Sequence, residues 1–145
     1  MSAAQHPPPE TGVDQARLAA FLLEQFPQTR CQIVAASAGT ATIRHPVGPA
    51  ELRPGGTVSG PVMMTVADVA LYVALLSQIG IVPLAVTTNL NINFLRKPSA
   101  GKDIIGVCRM KKVGKSLAVG EVDLYSDGEP EPVAHAVGTY AIPRR

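Results

Sequence analysis

The sequence predicts an α+β domain in which a largely antiparallel sheet faces one long buried helix. Three observations carry that expectation. Residues 61–86 are apolar almost throughout, four short alternating segments follow them, and an amphipathic helix and a β-like stretch come before. With 145 residues and 46% hydrophobic side chains, the chain suits one domain with ample core material, which excludes wholesale disorder.

In chain order, residues 1–10 carry Pro7, Pro8 and Pro9 and read as a flexible tail, leaving residues 11–145 as a single domain. Thr11-x-x-Asp14 has the spacing of a capping box, so a helix is expected over residues 13–26. Leu18, Phe21, Leu22 and Phe26 form its buried stripe, Arg17 and Glu24 face out, and Pro27 ends it. Residues 31–45 turn β-like, with Gly39 permitting a turn or bulge. The loop PVGPAELRPGGTVSG, residues 46–60, is dense in Gly and Pro. Ser59 is placed to cap a central helix that starts near Gly60 or Pro61, runs to about Gln78 and closes at Gly80.

Four strands follow, over residues 84–95, 103–113, 116–126 and 133–142. In the first, simple alternation sets Leu84, Val86, Leu90, Ile92 and Phe94 on one face, with Thr87, Asn89, Asn91 and Asn93 on the other. In the last, Ala134, Ala136 and Gly138 are small enough to let a thick element approach.

The composition closes off several functions. A net charge of 13 − 11 = +2, with no basic block among aromatics, argues against a nucleic-acid protein. Asp68, Gln78, Gly80 and Pro83 interrupt the apolar run, so it reads as a core helix rather than a membrane span. The start MSAAQHPPPE has no signal-peptide pattern, and Cys31 and Cys108 read as buried thiols of a reducing compartment. The expectation is a cytoplasmic protein. His6, His45 and His135 are far apart in sequence, and no metal site is expected.

Asp68 is the residue that needs explaining. A helix aspartate commonly bonds a neighbouring tyrosine or a backbone group near a solvated edge. Here its helical neighbours Met64, Thr65, Leu71 and Tyr72 offer little polar help, and a buried carboxylate is rare without a partner or a task. Gly55, Gly56 and Gly60 are compatible with ordinary turns. Gly60 also stands at a helix N-terminus, where free N–H donors suit an oxyanion or a polarised carbonyl. Arg53 is either a solvated charge or a donor into the same site. The asparagine row suits solvent, a polar groove or a subunit seam.

The segment RPGGTVSGPVMMTVADVA, residues 53–70, resembles the active-site segment of hotdog-fold acyl-CoA thioesterases of the PaaI-like type. In that family a His-Gly-Gly loop enters the central helix and an Asp follows nine residues after the His. Here 68 − 59 = 9 places Ser59, Gly60 and Pro61 at His-Gly-Gly. LAVTTNLNINFLRKP (84–98), GKSLAVGEVD (114–123) and VAHAVGTY (133–140) look like the strands that follow.

The resemblance implies a hotdog fold, its sheet wrapped around the helix, assembled as a homodimer or a dimer of dimers. It implies hydrolysis of an acyl-CoA thioester, with Asp68 as general base or nucleophile, the Gly60 N–H as oxyanion donor and Thr87 placing water. The site is shared, the loop of one subunit facing the Asp of the other. Arg53 stands where the family often has Asn or Gln, and Ser59 where it has His, so these two with Pro61 tune the substrate side. No cofactor is implied, coenzyme A being part of the substrate. The rival reading on the same fold is a non-catalytic acyl-CoA-binding or regulatory module.

Overall fold

The computed structural model describes residues 13–144; the expected tail over residues 1–10 and the capping residue Thr11 lie outside them. Helix α1 spans Gln15–Gln25, shorter than expected at both ends. Asp14 is itself the N-cap, its carboxylate accepting the Arg17 N–H at 2.8 Å. At the other end the Phe26 N–H still bonds Leu22 O at 2.8 Å before Pro27 stops the helix.

Strands β1 (Gln32–Ser37) and β2 (Thr40–His45) form a hairpin. Ala38 (φ 46°) and Gly39 (φ 91°) both take positive φ, the two-residue turn that matches strand twist. Within the Gly/Pro-rich loop lies a small hairpin that the pattern did not announce. Its strands are β3 (Leu52–Arg53) and β4 (Thr57–Val58), joined through Gly55 and Gly56, both at positive φ. Helix α2 spans Gly60–Ile79, and Gly80 ends it with its N–H on Leu76 O at 2.9 Å.

β5 (Val86–Phe94), β6 (Ile104–Val113), β7 (Leu117–Ser126) and β8 (Ala134–Ala141) complete a six-stranded sheet in the order β1-β2-β6-β7-β8-β5. Every neighbouring pair is antiparallel, and β5 is one edge.

All six strands pack on α2. Residues 70–77 are buried without interruption, so this half of the helix is enclosed on every side. α1 packs on both β1 and α2, and its Phe21 and the following Phe26 lie 6.3 and 5.8 Å from the Tyr72 ring. Full burial of Leu71, Leu75 and Leu76 stabilises the fold by about 1.5–3 kcal/mol each. α2 is long and apolar enough to cross a membrane by length and composition, yet it lies in the core of this domain.

The approach of α2 requires missing side chains on the sheet. Gly120 and Gly138 pair across β7 and β8, and the Leu71 side chain fills the hollow they leave. A Cβ on Gly106 would stand 2.8 Å from Val66. Cys31 and Cys108 are free, buried thiols in this core. Burial pushes both up, Cys108 to about 12 with the Glu121 charge contributing.

Gly138→Val places a stiff branched side chain where Leu71 sits, and overpacking of this kind costs about 1–3 kcal/mol. The urea midpoint should fall accordingly; an unchanged midpoint would contradict the seating of Leu71.

Candidate active site

The N-terminal half of α2 is enclosed less completely than the rest. Pro61, Met64 and Thr65 are exposed and Asp68 is half-buried, and these four share one stripe of the helix at spacings of three and four. Asp68 is therefore not the engulfed carboxylate that the apolar run suggested. Its polar help comes from two strands rather than from helical neighbours. Oδ1 accepts a hydrogen bond from Thr87 Oγ1 at 2.5 Å and another from Tyr140 Oη at 2.8 Å. Tyr140 Oη also lies 3.1 Å from the Asp68 backbone carbonyl oxygen.

Simple alternation puts Thr87 on the asparagine face of β5, and the structure reverses that. The register between β5 and β8 slips between Thr87 and Asn89, a bulge at Thr88. Beyond it Leu90 pairs with Gly138 and Ile92 with Ala136 on the helix side, and Asn89, Asn91 and Asn93 are exposed. Before it Thr87 pairs with Tyr140, so both turn toward α2 while Val86 is exposed. One extra residue thus changes the phase of the strand and delivers the threonine to the carboxylate.

Tyr140 is the site residue that the sequence reading missed. It continues the inward face of Ala134, Ala136 and Gly138, so periodicity points it at the helix. That it meets Asp68 depends on β8 lying beside β5. Burial, reinforced by the Asp68 charge, pushes its phenol well above the ordinary range. Tyr140 is therefore a protonated donor throughout the neutral range.

Asp68, Thr87 and Tyr140 line one side of a cavity of about 670 Å³. Phe26, Tyr72, Arg30 and His45 line other parts of it. Tyr72 Oη donates to Pro83 O at 3.0 Å, and burial raises its phenol as well. His45 Nδ1 lies 2.8 Å from Pro46 O, a contact that suits Nδ1–H as the donor.

Gly60 and Arg53 line a different cavity, of about 640 Å³, together with Phe94, Arg96 and Lys97. Within one chain the structure brings Asp68 to Thr87 and Gly60 to Arg53, but not the two pairs to each other. Eight residues of helix separate Gly60 from Asp68, about 12 Å of rise. Gly60 opens α2, where the first-turn N–H groups have no intrahelical acceptor. Ser59 holds the N-cap position without a side-chain cap bond, and Pro61 is exposed beside it. Gly55 and Gly56 serve the tight turn between β3 and β4. Among the described residues no group of three or more His, Cys, Asp or Glu is arranged to hold a metal.

A buried carboxylate anchors the loop that leads into α2. Glu51 is 5% exposed; its Oε1 accepts the Gly48 N–H at 2.6 Å and its Oε2 accepts Arg30 Nη1 at 2.7 Å. Its carbonyl accepts the Ser59 N–H at 2.9 Å, directly before Gly60.

The model of the thioesterase superfamily matches residues 55–133. A candidate thioesterase from Silicibacter sp. TM1040 is 45% identical, with 93% of this chain and 95% of that one covered, at a TM-score of 0.86. The Escherichia coli PaaI protein of the phenylacetic acid degradation operon shares the fold at 21% identity, TM-score 0.76, covering 89% and 94%. So does smu.793 of Streptococcus mutans, solved with acetyl-CoA bound, at 20% identity, TM-score 0.72, covering 81% and 92%. No curated protein matches the chain. The sheet wrapped around one long helix is the hotdog fold that the sequence resemblance implied.

Glu51→Ala leaves the Gly48 N–H and the Arg30 guanidinium without their acceptor. With Arg30 half exposed, the expected loss of stability is about 1–3 kcal/mol, read by chemical denaturation. A wild-type denaturation curve would remove Glu51 as the anchor of this loop.

Proposed function

Because the chain belongs to the thioesterase superfamily, we propose that it hydrolyses an acyl-CoA thioester to the free acid and coenzyme A. The observation that carries this reading is the Asp68 carboxylate, held by two hydroxyl donors beside a cavity. Acetyl-CoA bound to a protein of the same fold agrees with a CoA thioester as ligand.

The chemistry follows from the groups present. As general base, Asp68 takes a proton from water while the water oxygen attacks the thioester carbonyl carbon. As nucleophile, the carboxylate attacks that carbon itself, and water then cleaves the mixed anhydride. In either course the carbonyl oxygen becomes an oxyanion, the C–S bond breaks, and the sulfur leaves as CoA thiolate and takes up a proton. The Gly60 N–H at the positive end of α2 is the oxyanion donor. Thr87 gives its hydroxyl hydrogen to Asp68, and its oxygen still has lone pairs to orient the water. Arg53 and Ser59, with Pro61 next to Gly60, set the substrate side of that loop. The reaction asks for no metal or cofactor, and the cytoplasm is its proposed location.

Gly60 and Asp68 belong to one site when two copies combine about a two-fold axis. The exposed stripe of α2 runs from Pro61 to Asp68, and Met64 is midway between Gly60 and Asp68. Two such helices packed antiparallel about an axis near Met64 would place each Gly60 opposite the partner's Asp68. The outer edge of β5 pairs with no strand among the described residues, which favours the same closed assembly. A homodimer, or a dimer of dimers, is thus part of the proposal.

Asp68→Asn, nearly isosteric, should lower thiol release on a panel of acyl-CoAs by about a hundredfold or more with the fold retained. Wild-type turnover in that variant would sink the mechanism. Saturable acyl-CoA binding without turnover by the wild-type protein would favour the binding module instead. Mixing Asp68→Asn chains with Gly60→Pro chains, each inactive alone, should restore partial activity through mixed dimers with one intact site. Full-rate turnover by a monomer would overturn the shared site.

A further inference from the structure

The contacts around Asp68 are one-sided. Both hydroxyl donors bond Oδ1, and among the described residues no donor bonds Oδ2. Thr87 and Tyr140 reach that oxygen from neighbouring strands, paired directly across β5 and β8. The two donors thus meet the carboxylate from a rigid sheet while α2 presents it from below. Tyr140 is 3% exposed, and its ring lies 6.0 Å from Tyr72 on α2, so the donor is fixed by packing as well as by its hydrogen bonds.

From this geometry we infer that Tyr140 is a positioning residue: with Thr87 it locks the Asp68 carboxylate so that Oδ2 is the oxygen that acts on water or the thioester. The inference rests on the thioesterase reading for its chemistry and on the hydrogen bonds for its geometry. A carboxylate bonded through neither oxygen rotates about its Cβ–Cγ bond and presents either oxygen at varying angles. One donor narrows that rotation. Two donors on one oxygen, from residues that are themselves paired, nearly stop it. Placement of a reacting group matters steeply, since an error of about 1 Å can cost about a hundredfold in rate.

Tyr140→Phe removes the donor and keeps the ring against Tyr72. The expected result is a fall in kcat of roughly tenfold on the best acyl-CoA of the panel, with KM changed less than about twofold and Tm nearly constant. Thr87→Ser, which keeps a hydroxyl, should stay close to wild type. Thr87→Val removes the other donor together with the oxygen that orients the water, so its kcat should fall at least as far as that of Tyr140→Phe. The double variant Thr87→Val/Tyr140→Phe should lose more than the product of the single losses, because in each single variant the remaining donor still narrows the rotation of the carboxylate.

A second measurement does not need turnover. With 13C-carboxyl-labelled aspartate, the Asp68 resonance is assigned by its disappearance in Asp68→Asn. It should shift in Tyr140→Phe and shift further in the double variant. Wild-type kcat in Tyr140→Phe, or an unmoved Asp68 resonance, would overturn the inference. Absence of turnover by the wild-type protein on every thioester would instead fail the thioesterase reading. The resonance would then still decide whether Tyr140 holds the carboxylate.

Discussion

The enclosure of α2 is the constraint on which the rest of this structure depends. From residue 70 to residue 77 every side chain of the helix is buried, so no single flat layer can cover it. A sheet must curve around most of the circumference, and α1 packs on the helix as well. Such close approach leaves no room for side chains at Gly120 and Gly138, where the sheet meets Leu71. The small residues on the inner face of β8 are the counterpart of the large ones on α2.

Complete burial of one half of the helix makes the incomplete burial of the other half informative. The stripe of Pro61, Met64, Thr65 and Asp68 is left open, exposed or half-buried. That opening lets a carboxylate sit on an otherwise apolar helix without the full cost of burying a charge. Its hydroxyl partners come from the sheet, which orients them more firmly than a loop would. The bulge at Thr88 is the local device that makes this possible, because a regular β5 would send the Thr87 hydroxyl to the opposite face.

The chemistry of the candidate site divides between two places within one chain. A carboxylate with its donors lies beside one cavity, and a helix N-terminus with Arg53, Arg96 and Lys97 lies beside another. Each half lacks what the other has. The loop half is tied down by the buried carboxylate of Glu51, which bonds both the start of that loop and Arg30 from the segment after α1. In this way the lining of the Asp68 cavity and the approach to Gly60 share one support.

Sequence alone determined the two helices and the long strands, because those follow from periodicity and composition, which are local. An apolar run with one aspartate gives a core helix with a marked residue, and alternation gives the four strands that follow it. The nine-residue spacing to Asp68 and the glycine at the helix entrance are also local, and so were legible. What only the tertiary structure decided is which groups meet. The inward turn of Thr87 and the arrival of Tyr140 at Asp68 each depend on a register or a neighbour set far away in the chain. A bulge shifts the phase of a strand by one residue without a sequence signal as strong as a proline or a helix cap. The partner of a strand is chosen by the whole sheet, so the second donor to the carboxylate became visible only once β8 was seen beside β5.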